Sequence, residues 1–154
     1  MKNFFQGEDL KLGVKKLADM MKKYTYTVVL TGAGMDTESN IPDFRGKNGL
    51  WKNINPILVA SIDSLKRNYE LFHEFYSTRI KKLEHVKPHE GHYILADLER
   101  RGIIKSIATQ NVSGLHHMAG SKRVYELHGN IKRIICNKCK EEASLDDFLN
   151  KEKC

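Results

Sequence analysis

The sequence has little of what marks several large protein classes. It contains only 3 Pro and 3 Cys, and its 40% hydrophobic fraction is that of a folding chain rather than a disordered one. No apolar run approaches the ~18 residues that a membrane span needs. The odd cysteine count argues against a disulfide framework. We therefore expect one ordinary domain without a membrane partner in these 154 residues.

A secretory signal is a further feature that the sequence lacks. Residues 1–9 do not follow the order of basic, apolar and small residues that such a signal has, so we expect a cytoplasmic protein. The net charge of +7 leaves acidic partners open. Its lysines are scattered in short pairs such as Lys15-Lys16 and Lys81-Lys82, which is typical of a solvated surface. We therefore do not expect nucleic acid as a partner.

Short apolar runs alternate with segments of helical periodicity along the chain, a pattern typical of an α/β fold. The helical segments predict surface helices with one apolar face. The predicted strands are residues 26–31, 103–109 and, more weakly, 123–127, and the predicted helices lie within residues 10–21, 56–83 (two helices) and 89–101.

A glycine-rich turn follows the first predicted strand directly. Gly32, Ala33 and Gly34 stand where a dinucleotide fold places phosphates, since glycine permits unusual backbone angles and close approach of a ligand. Thr37 occupies the position of the third glycine of the usual fingerprint, and the acidic residue expected ~20 positions further on is missing. The turn alone therefore leaves two interpretations open, a nucleotide site and glycine needed for packing.

The cysteines lie near the C-terminal end of the sequence. Cys136 and Cys139 are spaced to place two thiolates on one tetrahedral zinc ion, and Cys154 follows after 14 residues. The alternative is a redox dithiol, which usually begins a helix in a βαβ unit. Because this pair follows an isoleucine-rich stretch in a basic tail, the sequence favours zinc, although a fourth cysteine ligand is absent from it.

Histidine is the natural proton carrier at neutral pH. His128 ends the third predicted strand, so that its ring can face a pocket at the C-terminal edge of a sheet, which makes it a candidate catalytic residue. Four other histidines lie in helical or polar segments and are expected at the surface or in helix caps: His73, His85, His89 and His92.

Taken together, five ordered segments resemble the sirtuins, the Sir2-like NAD-dependent protein deacylases. The resemblance covers nearly all of the chain and corresponds to the N-terminal portion of a sirtuin core. The matching segments are residues 32–46 (GAGMDTESNIPDFRG), 48–51 (NGLW), 109–120 (TQNVSGLH and MAG), 126–130 (ELHGN) and the cysteine pair.

The resemblance implies a Rossmann-like parallel sheet, incomplete in this chain, with a small zinc-binding module. Residues 1–130 would belong to the NAD-binding and catalytic domain, and residues 131–154 would begin the module. NAD and an acyl-lysine protein or peptide would bind between them, and the acyl group would pass to ADP-ribose with release of nicotinamide. Cys136, Cys139 and Cys154 would be the zinc ligands.

The resemblance also implies roles for individual residues. His128 would be the general base, and Gln110 and Asn111 would order the ribose and a water molecule, so that Asn111 counts with His128 as catalytic. The other implied cofactor contacts are Gly32, Ala33, Gly34 and Thr37 in the phosphate loop, Asp43, Phe44 and Arg45 in a mobile loop, and Val112 and Ser113 at the nicotinamide.

Tyr76 and Arg79 resemble the pair found in sirtuins that prefer acidic acyl groups such as succinyl. Their i, i+3 spacing places both side chains on one helical face, where they could bind a carboxylate. The alternative is an aromatic side chain packed inward beside a solvated arginine, which leaves the acyl preference open.

Two positions depart from the family pattern. Ser113 stands where an aspartate that binds the nicotinamide carboxamide is typical, and the loss of its charge should cost about 1–2 kcal/mol. Asp36 stands where a serine is usual, and we expect its carboxylate either to oppose a nearby phosphate or to cap the following helix.

The segment that would hold the adenosine half of NAD is absent from the sequence, so we expect little or no activity from this chain alone. Two alternatives to a deacylase remain: an NAD-consuming ADP-ribosyltransferase or glycohydrolase of the same family, and a small basic zinc module that binds nucleic acid. The oligomeric state, monomer or oligomer, stays open.

Overall fold

The computed structural model describes residues 8–47 and 49–152. This part of the chain combines helices with a three-stranded parallel sheet, and a small antiparallel hairpin follows it. The helices are α1 (Glu8–Lys23), α2 (Pro56–Val59), α3 (Ile62–Arg67), α4 (Tyr69–Leu83), α5 (Glu90–Arg100), α6 (Leu115–Met118) and α7 (Leu145–Leu149), with 3₁₀ helices at Ala33–Ser39 and Leu50–Lys52. The strands are β1 (Val28–Thr31), β2 (Ser106–Thr109), β3 (Val124–Glu126), β4 (Ile134–Ile135) and β5 (Glu142–Ala143).

The parallel sheet has the order β1-β2-β3. Thr31 pairs with Thr109, and Thr109 pairs with Glu126, so the three strands end at the same edge. The residues that follow β1, β2 and β3 in the chain therefore emerge side by side. The α/β interpretation of the sequence is confirmed, and all three strands lie within the predicted runs.

The helices begin where local side chains satisfy free backbone N–H groups. Asn55 accepts a hydrogen bond from the N–H of Ile57 just before α2, and Ser61 does the same for α3. Asn68 then begins α4, so that residues 56–83 form three helices where two were predicted.

The core of the sheet lies around β2. Ile107 is completely buried between β1 and β3, whereas Val28 and Leu30 on β1 are 49% and 66% exposed. The prediction of a buried strand at residues 26–31 is therefore wrong for these side chains, because within the described residues β1 pairs only with β2 and forms an edge of the sheet.

A second apolar cluster joins α4 to the C-terminal segment. Ile80 and Leu83 of α4 pack with Ile131, and Ile134 and Phe148 pack against this group. The start of the predicted zinc module thus shares its core with a helix of the larger unit. None of the helices in the described ranges is both long and apolar enough to cross a membrane.

Candidate functional site

The residues that follow β1 and β2 meet at the C-terminal edge of the sheet. The side-chain amide of Asn111 donates from Nδ2 to the carbonyl oxygen of Gly32 at 3.0 Å. A Cβ atom on Gly32 would lie 3.4 Å from Gln110 Oε1, so the glutamine side chain lies directly against the glycine. Asn111 is buried and Gln110 is exposed. The structure therefore places these three predicted residues together.

His128 joins this group from the end of β3. Its Nδ1 lies 3.2 Å from the carbonyl oxygen of Gln110, and the ring is exposed. Because a carbonyl oxygen only accepts, Nδ1 carries the proton in this contact. Nε2, which has no hydrogen-bond partner in the part of the chain that the structure describes, is left as an accessible base.

Asp36 lies beneath this edge and is only 4% exposed. Its Oδ1 accepts from Asn111 Nδ2 at 2.8 Å and from His92 Nε2 at 3.2 Å, and its Oδ2 accepts from Ser113 Oγ at 2.8 Å. The expectation that Asp36 caps the following helix is wrong, because its carboxylate bonds these side chains instead, and its opposition to a phosphate stays a prediction. A buried carboxylate needs several donors, and here Asn111, Ser113 and His92 supply them.

The expectation that His73 and His92 lie at the surface or in caps is also wrong, because both are buried. His73 instead bonds the carbonyl oxygen of Phe148 at 2.7 Å. His89 does cap α5, accepting from the N–H of Gly91. The i, i+3 spacing of His89 and His92 could have predicted that these two histidines lie together, because it places both rings on one face of a helix.

A chain of hydrogen bonds runs under the site from His116. Its Nε2 lies 2.9 Å from Thr31 Oγ1, and the Thr31 hydroxyl donates to Thr109 Oγ1 at 2.8 Å. Since the Thr31 proton is used on Thr109, His116 donates from Nε2. Burial, with a smaller contribution from the neighbouring His92, lowers the pKa of His116 to about 4, so the ring is neutral near pH 7.

The predicted mobile loop is folded by its own hydrogen bonds. Asp43 Oδ1 accepts from the N–H of Gly46 at 2.9 Å, and the carbonyl oxygen of Phe44 accepts from the N–H of Trp51 at 2.9 Å. The rings of Phe44 and Trp51 stack with centroids 5.0 Å apart. Arg45 is exposed. The side chain of Asp43 is therefore used within the loop.

Arg79 connects this loop to α4. Its guanidinium carbon lies 5.1 Å from the ring centroid of Phe44 and 5.5 Å from that of Phe75, so it is not the solvated arginine of the alternative interpretation. Tyr76 contacts Phe75 edge-on. Burial lowers the pKa of Arg79, and Tyr76 opposes this effect. No acidic side chain within the described ranges pairs with Arg79.

The remaining predicted cofactor contacts lie around this edge. Gly34 is exposed, with nothing within 4 Å of an added Cβ atom. The exposed Thr37 donates its hydroxyl proton to the carbonyl oxygen of Gly34 at 2.8 Å. Ala33 is half-buried. Val112 packs against the apolar cluster of α4.

The two described cysteines lie in the turn between β4 and β5. The N–H of Lys140 bonds the carbonyl oxygen of Cys136 at 3.1 Å, and Lys140 has a positive φ of 66°, which closes the turn that carries Cys139. Cys154 lies outside the described residues. Within those residues, no three side chains of the metal-binding types are grouped, so the zinc site stays a prediction.

Several known proteins are similar to this chain. The NAD-dependent protein deacetylase of Oceanobacillus iheyensis is 47% identical over 137 residues, which are 88% of this chain and 58% of that protein. NAD-dependent protein deacetylase 1 of Geobacillus kaustophilus is 55% identical over 126 residues, which are 81% of this chain and 52% of that protein. The chain thus spans little more than half the length of these curated relatives.

Solved structures agree with this result. A Sir2 variant with a deacetylated p53 peptide and 3′-O-acetyl ADP-ribose matches with a TM-score of 0.84 and 38% identity over 90% of this chain and 56% of that one. A Sir2 homologue bound to NAD matches with a TM-score of 0.77 and 37% identity over 86% of this chain and 52% of that one. The model of the Sir2 family matches residues 32–154. The chain therefore belongs to the Sir2 family.

Proposed function

We propose that this chain is part of an NAD-dependent protein lysine deacylase and contains its general base. The observation that carries the proposal is the convergence of Gly32, Gln110, Asn111 and His128 at one edge of the sheet. The names of the relatives and the contents of the matched complexes support the same reaction class. The substrate would be an acyl-lysine in a protein or peptide.

The residues at this edge fit NAD. Open space lies beside Gly34, the exposed side chain of Gln110 lies against Gly32, and the exposed ring of His128 contacts the backbone of Gln110. Glycine lets the backbone approach a pyrophosphate closely, and the exposed amide offers hydrogen bonds to hydroxyl groups. Bound NAD would supply a ribose carbon from which nicotinamide departs.

His128 and Asn111 would do complementary work. With its Nδ1 proton on the carbonyl oxygen of Gln110, His128 offers Nε2 to take a proton from a ribose hydroxyl. Both Nδ2 protons of Asn111 are used, on Gly32 and Asp36, so its Oδ1 is left as an acceptor. That oxygen would hold a water molecule or a ribose hydroxyl in place.

Arg79 and Tyr76 support an acyl group that ends in a carboxylate. Arginine stays protonated even when burial lowers its pKa, and Arg79 has an aromatic surround but no acidic partner among the described residues. A succinyl or malonyl carboxylate would supply the missing anion, with a hydrogen bond from the Tyr76 hydroxyl. Phe44, in contact with Arg79, would close the apolar side of the acyl site.

We further propose that Cys136 and Cys139, together with Cys154, hold a zinc ion that does no chemistry. The support is the tight turn between β4 and β5, on which the pair lies at the spacing that zinc prefers. A cytoplasmic location remains part of this proposal.

The chemistry can be tested in a chimera. Because the chain spans 52% of the Geobacillus kaustophilus deacetylase, residues 1–154 followed by the remainder of that relative give a full-length protein. We expect the chimera to convert NAD and acyl peptide into nicotinamide and O-acyl-ADP-ribose, with the chain alone far slower. His128→Ala should lower kcat by about 10²–10⁴-fold, the usual contribution of a general base. His117→Ala, a neighbouring exposed histidine, is the matched control.

Mass spectrometry of the products separates the alternatives. Free ADP-ribose or a modified protein without deacylation would establish a glycohydrolase or transferase instead. A folded chimera whose rate is the same with and without His128 would refute the assignment of the base. Comparison of acetyl with succinyl peptides tests Arg79, since Arg79→Met should lower only succinyl turnover.

A further inference from the structure

The buried carboxylate of Asp36 is the centre of the polar network beneath the site. Three donors from two segments of the chain converge on it: the Asn111 amide and the Ser113 hydroxyl from the loop after β2, and the His92 ring from α5. All four side chains are less than a tenth exposed, so none of these bonds is shared with bulk water. Charge-assisted bonds of this kind are stronger than neutral ones, and their loss leaves buried donors unsatisfied.

The network fixes which end of the Asn111 amide faces outward. Nδ2 donates both to Gly32 and to Asp36, and the backbone N–H of Asn111 is itself held on Thr109 Oγ1 at 3.0 Å. A rotation of the amide by half a turn would place Oδ1 against the carboxylate and a carbonyl oxygen, two groups that only accept. As long as Asp36 is present, the orientation with Oδ1 outward is strongly favoured.

We propose that Asp36 is a positioning residue that orients Asn111, and that Ser113 is its partner in an exchangeable pair. The pair joins one hydroxyl to one carboxylate, and it would still do so with aspartate at position 113 and serine at position 36. The Ser113 Oγ–Asp36 Oδ2 distance of 2.8 Å allows either arrangement. The two departures from the sirtuin pattern are then one paired change. This inference rests on the proposed function in one respect only, the role that the proposed function gives to Asn111.

The exchange of the two residues tests this proposal. We compare Asp36→Ser, Ser113→Asp and the double variant in urea unfolding of the chain, which needs no turnover. Asp36→Ser should raise the unfolding equilibrium constant at least about tenfold, because three buried donors lose their acceptor. Ser113→Asp should do the same through two adjacent carboxylates. The double variant should return to within about threefold of the original chain.

A second readout reports on positioning rather than on stability. The NMR signals of the two Asn111 Nδ2 protons should move toward unbonded values in Asp36→Ser and return in the double variant. Ser39→Ala is the matched control, because its hydroxyl is buried on the same 3₁₀ helix and has no hydrogen-bond partner among the described residues. In the chimera, kcat should fall in each single variant and recover in the double one.

The outcomes separate this inference from the proposed function. Additive stability losses, or Asn111 signals that do not respond to Asp36→Ser, would overturn it. Coupled losses with restored Asn111 signals in an inactive but folded chimera would support the pairing and overturn the deacylase proposal. Recovery of both stability and kcat in the double variant would support both.

Discussion

At the scale of single residues, the candidate site combines buried side chains with exposed ones. His128 has an accessible Nε2, whereas His116 is 3% exposed and bonded to Thr31. Burial disfavours the charged ring of His116, whereas the exposed His128 is the proposed general base.

The pH dependence of stability follows from His116. Its pKa falls from 6.5 in the unfolded chain to about 4 in the folded one, so the unfolded state binds more protons between these values. Stability should therefore be full above pH 6.5 and be lost as the pH falls toward 4, by up to ~3 kcal/mol. Urea unfolding across this range should show a flatter profile for His116→Gln.

An NMR titration checks the cause independently. The ring protons of His116 should titrate near pH 4 in the folded chain. A midpoint near 6.5, or equal pH profiles for the original chain and His116→Gln, would contradict the prediction.

Residue types and short spacings predicted which residues form the site better than they predicted the contacts between those residues. Gln110, Asn111 and His128 each follow a strand, and parallel strands bring such residues together, so their convergence could be anticipated. The partners of Asp36 could not be anticipated, because His92 and Ser113 lie far from it in sequence and reach hydrogen-bond distance only in the folded chain. No local pattern distinguishes a helix-capping aspartate from one that is buried beneath a sheet.

At the scale of elements, the same contrast holds. Helices α1, α4 and α5 and the three parallel strands were predictable because apolar periodicity and capping residues are local signals, whereas the short helices α6 and α7 were not predicted. The paired strands β4 and β5 have only two residues each, too few for any period to show. Their pairing depends on the turn that carries the cysteines and on contact with α4.

This hairpin is the element at which zinc can be tested. Two residue pairs, Ile134 with Ala143 and Ile135 with Glu142, form its whole ladder, and isolated hairpins are marginal in water. We expect about one zinc ion per chain by elemental analysis. Cys139→Ser should lose the metal and lower the melting temperature, as should a chelator added to the original chain.

Lys138→Ser, between the two cysteines, controls for the exchange itself and should retain the metal. A metal-free chain whose melting temperature does not respond to added zinc, or a Cys139→Ser variant that binds zinc normally, would remove the cysteines from the proposal.

At the scale of the whole molecule, the described sheet has one well-buried central strand, β2, between two edge strands, of which β1 is the more apolar. Ile107 on β2 is completely buried. Its pairing partner on β1 is Val29, and the next residue of β1, Leu30, is 66% exposed. In addition, α1 exposes apolar side chains such as Leu12, Val14 and Leu17 to about half or more of their surface. Side chains on the central strand β2 should therefore contribute more to the stability of the sheet than those on β1.

Matched truncations on the two strands test this asymmetry and the oligomeric state together. Ile107→Ala should cost about 2–5 kcal/mol, or Ile107→Val about 0.5–1.5 if the larger cavity prevents folding. Leu30→Ala should stay within about 0.5 kcal/mol in urea unfolding, since an exposed side chain loses little burial. An equal cost at Leu30 would mean that another surface covers β1 in solution. Sedimentation would then show a second copy, because an uncovered apolar edge is a template for pairing with another chain.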